Sequence, residues 1–123
     1  MDMLRYQKFS GGALWASEYG ASDDAKAFQW LRAYSPVQNV KPGTCYPPTL
    51  LTTADHDDRV VPSHTYKFAA ALQAAQACDN PVLVRVEINT SHGYMPTDKR
   101  IAQTVDVWAF LAYSLGIQAA PKP

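Results

Sequence analysis

An excess of charge of either sign is missing from this sequence: eleven Lys and Arg balance eleven Asp and Glu, and no basic stripe or acidic run appears along the chain. Without that electrostatic footprint, nucleic acid and anionic membrane surfaces are not expected as partners. Long hydrophobic runs are missing too. Every uninterrupted apolar stretch is shorter than ten residues, far below the ~20 needed to span a bilayer. The first eight residues lack the apolar segment of an export signal, although this counts for little if Met1 is an internal methionine of a longer protein. Cysteine is scarce. Cys45 and Cys78 are too far apart for a C-x-x-C motif and too few for a disulfide framework. Two unpaired thiols are therefore expected, with a single bridge as the alternative.

What is present suits a packed interior. Apolar residues make up 47% of the chain and charged residues 18%, with three Trp and seven Tyr, so nothing in the composition points to disorder. A length of 123 residues fits one small domain or a piece of a larger one, since domains usually run to roughly 100–200 residues.

The opening Met1-Asp2-Met3-Leu4-Arg5-Tyr6 reads like the end of a strand. The stretch to Ala21 is then rich in Gly and aromatic residues (Gly11, Gly12, Trp15, Tyr19, Gly20) without a sustained period, which predicts a loop that presents rings. Ser22 can cap a helix with Asp23 and Asp24 in its first turn, and Ala27, Trp30, Leu31 and Tyr34 follow at helical spacing until Ser35-Pro36 stops it. Thr49-Leu50-Leu51-Thr52-Thr53 reads as a buried strand ending in the polar cluster Asp55-His56-Asp57-Asp58-Arg59. Pro62 then suits the start of an Ala-rich helix over about Ser63 to Ala77. Pro81 to Ile88 is the clearest strand, with Val82, Val84, Val86 and Ile88 on one face. It leads into Ser91-His92-Gly93. A last helix is predicted over about Thr97 to Leu115, with Ile101, Val105, Trp108, Ala112 and Leu115 along one face and Gly116 placed to end it. Residues 1–117 hold all these elements, and 118–123 read as a flexible tail. Helices alternating with strands describe parallel β-α-β units, an α/β fold whose functional loops lie at the carboxyl ends of the strands.

Each strand delivers one titratable side chain to that edge, Asp57 after the first and His92 after the second. A catalytic histidine needs a carboxylate to fix its tautomer, and the α/β-hydrolase chain order is Ser, Asp, His, so this pair fits the second and third places. Taken alone, Asp57 reads rather as a turn or capping residue ahead of the following helix, and His92 as a solvated loop histidine. His56 and His64 are expected at the surface. The cluster around Asp55 lacks the glycine and terminal glutamate of an EF-hand and the spaced histidines of zinc sites, so no metal site is expected. Trp30 and Trp108 read as core. Asn89-Thr90-Ser91 matches the glycosylation sequon, which is treated as chance because a glycan beside His92 would obstruct it.

The run Leu51-Thr52-Thr53-Ala54-Asp55-His56-Asp57-Asp58-Arg59-Val60-Val61-Pro62, with Lys67-Phe68 after it, resembles the triad-aspartate segment of the prolyl oligopeptidase family. So do His92-Gly93, the opening six residues, Trp15, Tyr19-Gly20 and Trp30-Leu31, spreading the resemblance over almost the whole chain. It implies the C-terminal portion of an α/β-hydrolase catalytic domain, incomplete, in a serine peptidase that cleaves short peptides after proline and uses no cofactor. By position, Asp57 matches the triad aspartate and His92 the triad histidine. Arg59 matches the arginine that binds a substrate carbonyl, Trp15 the tryptophan that stacks on the substrate proline, and Tyr19 and Val60 residues lining that pocket. Proline has a flat apolar ring and no N–H, so an aromatic face and a small apolar wall can select it while a guanidinium orients the peptide.

One feature of the family is absent: no G-x-S-x-G occurs, and Ser10, Ser17, Ser22, Ser35, Ser63, Ser91 and Ser114 all fail the pattern. The resemblance implies that the nucleophile and a substrate-filtering β-propeller lie N-terminal to these residues. A chain holding only the acid and the base is then expected to be inactive by itself. Two alternatives stand beside this reading, a dipeptidyl or acylaminoacyl peptidase of the same superfamily and a non-catalytic binding module that keeps the pocket. The compartment stays open, with the cytoplasm slightly favoured over the periplasm.

Overall fold

In the computed structural model, which describes residues 1–118, the two predicted strands are β1 (Thr49–Ala54) and β2 (Val82–Glu87). They pair in parallel, in a register that runs from Thr49 opposite Val82 to Ala54 opposite Glu87. A parallel pair needs a crossover, and the helix α4 (Ser63–Ala75) supplies it. Its ladder begins with the Tyr66 N–H bonding the Pro62 carbonyl at 3.1 Å, so the proline, which has no N–H to lose, stands where a helix start costs nothing. α4 buries Ala69, Leu72 and Ala75, small and branched side chains that let the helix lie close to the two strands.

Five helical elements precede the sheet. The expected ring-presenting loop is built from helical turns: 3₁₀ segments at Tyr6–Lys8 and Ser10–Trp15 run into α1 (Ala16–Tyr19). The opening residues are not a strand end. Arg5 N–H bonds back to the Asp2 carbonyl at 3.2 Å and closes a turn. α2 spans Ala25–Tyr34 and is capped by Asp24, whose carboxylate accepts the N–H groups of Lys26 and Ala27 at 3.0 and 2.7 Å. Ser22 is therefore not the cap; of three adjacent candidates, the residue whose side chain reaches both free N–H groups takes the role. Ser35, before a proline, is extended as such residues prefer, and α3 (Pro36–Asn39) starts with Pro36 at its first position.

α5 spans Thr97–Leu115, as predicted, and ends where Gly116 turns left-handed (φ 66°) while Ile117 N–H bonds the Ala112 carbonyl at 2.9 Å. Past Gln118, the expected tail lies outside the described residues. None of the residues of α5 is buried. Trp108 is 67% exposed and Trp30 54% exposed, so neither is the core residue that its helical spacing suggested. Periodicity identifies an apolar face but not what covers it. α2 buries only Ala27 and Leu31, while Trp30 lies under the Lys26 ammonium, 5.3 Å from the ring centre.

Cys45 and Cys78 are joined as a disulfide, with Cα atoms 5.1 Å apart. The expectation of two free thiols is corrected. Thr44 pairs with Gln76 in an isolated parallel bridge, supported by Ala77 N–H to Thr44 O at 3.1 Å and Gly43 N–H to Ala75 O at 3.0 Å. That tertiary contact brings the cysteines within bonding reach. Counting cysteines along the chain cannot reveal it.

Candidate active site

Both strands end at the same edge, and the chain beyond each turns inward. Three residues past Ala54, the Asp57 carboxylate caps the segment that leads to α4: Oδ1 accepts the N–H groups of Arg59 at 3.0 Å and Val60 at 2.8 Å. The capping role considered for Asp57 is thus real, and it coexists with a second contact. His92, five residues past Glu87, sets its Nδ1 3.0 Å from each of the two Asp57 carboxylate oxygens. Burial works to raise the Asp57 pKa, but the Val60 N–H, the His92 ring and the Arg59 N–H outweigh it and hold the carboxyl below its ordinary value. An ionised carboxylate facing Nδ1 keeps a proton on that nitrogen and leaves Nε2 free to accept one.

The pair lines a hollow of about 520 Å³ together with Thr53, Glu87, Gly93 and Tyr94. Trp15, Tyr19, Arg59 and Val60 line a different cavity, about 300 Å³, whose wall is largely apolar. The six predicted site residues are thus brought together as two groups on adjoining hollows, with the Asp57–Val60 segment serving both. Arg59 makes no ion pair among the described residues, neither with Asp55 nor with its chain neighbour Asp58.

The aromatic wall is fixed from below by Tyr6. Its buried hydroxyl donates to the Gly20 carbonyl at 2.6 Å and lies 3.4 Å from the Trp15 carbonyl, clamping the turn between them. The Tyr6 and Tyr19 rings meet edge to face at 6.1 Å. Gly12 passes so close to Tyr6 that a Cβ there would lie 1.9 Å from the Tyr6 carbonyl oxygen, which is why the second glycine of the pair is required.

His64 was missed. It is not at the surface but 7% exposed, with Nδ1 accepting the Asp2 N–H at 3.3 Å, and it lines the apolar cavity beside Phe9. The signal was available: His64 stands four, five, eight and eleven residues before Phe68, Ala69, Leu72 and Ala75, on the face of α4 that turns inward. His56 is exposed, as expected, and pairs with Asp55. Asp55 and Asp57 turn to different partners, and no group of three or more His, Cys, Asp or Glu side chains converges among the described residues.

The model of the prolyl oligopeptidase family matches residues 1–118. The chain belongs to that family. A prolyl endopeptidase from Elizabethkingia miricola is 53% identical over 96% of this chain, and one from Elizabethkingia meningoseptica is 51% identical over 97%. In each case the chain spans 17% of the relative's length. Solved structures agree. One from an analysis of two prolyl endopeptidases has a TM-score of 0.92 at 41% identity, covering 96% of this chain and 18% of that one. Prolyl oligopeptidase B from Galerina marginata, bound to a 35-mer hydrolysis and macrocyclization substrate, has a TM-score of 0.88 at 38% identity, covering 98% and 17%. The prolyl oligopeptidase family resemblance and the α/β-hydrolase fold class read from the sequence are borne out, with the present residues forming a portion of that fold.

Proposed function

We propose that these residues carry the acid and base of a serine-type endopeptidase that hydrolyses peptides on the carboxyl side of proline. The observation that supports this most is the His92 Nδ1 at 3.0 Å from both oxygens of an Asp57 carboxylate already anchored by two backbone N–H groups. On this reading Nε2 of His92 takes the proton of a serine hydroxyl as its oxygen attacks the carbonyl carbon of the proline residue. The same nitrogen then returns the proton to the departing amine. Water repeats the cycle on the ester, and the enzyme is restored with no cofactor. The serine comes from outside the present residues, since no G-x-S-x-G occurs among them. Loss of the nucleophile from such a triad costs on the order of 10⁶ in kcat, so a polypeptide confined to this segment is catalytically silent.

In the same reading, the Trp15 indole stacks on the substrate proline, Tyr19 and Val60 close the sides, and the Arg59 guanidinium holds the neighbouring carbonyl. The shared, largely apolar cavity of these four supports that assignment. The partners are a proline-containing peptide, the remainder of the catalytic domain and a β-propeller. The test is turnover by the longest natural reading frame that contains these residues, on internal-proline peptides against dipeptide substrates with a free amino terminus. Cleavage after internal proline that His92→Ala reduces by about 10⁶ in kcat supports the proposal. Preference for the free amino terminus favours the exopeptidases of the superfamily, and retention of turnover within tenfold in His92→Ala overturns the triad.

A further inference from the structure

Strand pairing stops at Ala54 and Glu87, yet the two loops beyond stay bonded to one another. Asp55 N–H donates to the Glu87 carbonyl at 3.0 Å, and His56 N–H donates to the Thr90 carbonyl at 3.1 Å. Between these two acceptors the second loop carries two extra residues, Ile88 and Asn89, and Asn89 takes a positive φ of 55° to accommodate them. That excursion carries the Thr90 N–H off the ladder, with no strand carbonyl to receive it. Thr90 is 3% exposed, so water is a poor substitute and an unmade bond there would be costly. The Asp55 carboxylate takes its place, with Oδ1 3.3 Å from the Thr90 nitrogen. The Thr90 hydroxyl in turn donates to the Glu87 carbonyl at 3.2 Å.

We infer that Asp55 is a positioning residue for the proposed catalytic pair, a side-chain substitute for one rung of the sheet that fixes the loop of His92 against the loop of Asp57. The inference rests on the triad reading above. Asp55 lies two residues before Asp57, and Thr90 two residues before His92, so this rung sets the separation of the loops directly beneath the carboxylate–imidazole contact. The requirement is for an acceptor rather than for charge. The His56 ring, followed by the Asn89 and Thr90 N–H groups, holds the Asp55 carboxyl down at about 2, which keeps it an acceptor throughout the range in which such enzymes are assayed.

The experiment uses the longest natural reading frame containing these residues, with Asp55→Ala, Asp55→Asn, Asp55→Leu and His56→Ala compared with the parent on an internal-proline peptide. Asparagine keeps an oxygen for the Thr90 N–H; leucine matches its size without one. A displacement of about 1 Å in a reacting group costs on the order of 10² in rate. Asp55→Ala and Asp55→Leu are therefore expected to lose about 10²-fold in kcat with KM within about twofold, and Asp55→Asn to stay within about fivefold of the parent. His56→Ala keeps the parent's kcat. The His92 Nδ1 proton, followed by NMR, shifts in the leucine variant and holds its place in the asparagine variant. If leucine turns over like the parent, or asparagine is as slow as leucine, the inference is overturned. Should Asp55→Ala fail to fold, the near-isosteric asparagine and leucine variants decide by themselves. His92→Ala separates the two levels: turnover retained in it removes the triad reading and this inference together, whereas an inert His92→Ala beside a fully active Asp55→Leu removes only the inference.

Discussion

Replacing Asp57 by asparagine exchanges one oxygen for an amide nitrogen and should invert the histidine it faces. Oδ1 is committed to two backbone donors, Arg59 N–H at 3.0 Å and Val60 N–H at 2.8 Å. The asparagine side chain must keep its oxygen there, because turning the amide over would set N–H against N–H. Its NH₂ then occupies the position of Oδ2, 3.0 Å from His92 Nδ1, and donates where the carboxylate accepted; the oxygen, also 3.0 Å from Nδ1, has both lone pairs taken by the two backbone N–H groups and offers none to a third donor. Nδ1 becomes an acceptor, the ring proton moves to Nε2, and on the proposed reading the base is blocked at the nitrogen that receives the serine proton. A triad frozen in that tautomer loses about 10⁴ in kcat with its geometry intact, or roughly 5.4 kcal/mol of barrier. The assay is steady-state turnover of an internal-proline peptide by the longest natural reading frame, with KM measured separately. KM should stay within about twofold, because the change leaves the apolar cavity untouched. A fall in kcat of less than tenfold, in a variant whose thermal transition matches the parent's, refutes the tautomer argument.

Two further outcomes follow from the fold. Denatured but unreduced protein should show no alkylatable thiol at Cys45 or Cys78; for the 33-residue separation, loop closure gives about 4 kcal/mol as an upper estimate of what the double serine variant loses. Labelling of both cysteines before reduction excludes the bridge. Asp2 is 1% exposed; burial works to raise its pKa, but hydrogen bonds from Lys67, Arg5 and Gln38 outweigh it and hold the carboxyl below its ordinary 3.8. A depressed folded-state value means stability fully present above the ordinary value and lost as pH falls through the folded one. Chemical denaturation from pH 6 down to pH 2 should therefore show a shallower acid loss in Asp2→Asn than in the parent, and equal slopes count against the ion-pair account.

Local signals in the chain carried much of this fold. β1, α4, β2 and α5 stand within two residues of where composition, Pro62 and the apolar periods place them, because those elements are specified by what lies within a few residues. What depends on distant partners did not show. Helical spacing suggests a core for Trp30 and Trp108, which stay more than half exposed among the described residues, whereas the burial of His64 against Asp2 and the bridging of the cysteines are decided by contacts between segments far apart in the chain. The Gly-rich opening has no period to read, so its 3₁₀ turns stayed hidden. Asp57 and His92 were visible because the carboxyl ends of parallel strands share an edge. The cavity of Trp15, Tyr19, Arg59 and Val60 unites two segments some 40 residues apart, and only the family resemblance joined them beforehand.

The loops beyond β1 and β2 also differ in what change they can absorb over generations. Asp57 stands three residues after a register-paired position and His92 five after its partner, with the spacing in each loop taken up by backbone bonds. Surface positions such as His56 and Asp58 are open to replacement, since they change neither count. A single deletion or insertion between Ala54 and Asp57, or between Glu87 and His92, moves one member of the pair along the chain and out of reach of the other. On the proposed triad reading, positions such as His56 and Asp58 vary freely while the length of each loop does not, so an alignment gap in either loop separates the pair.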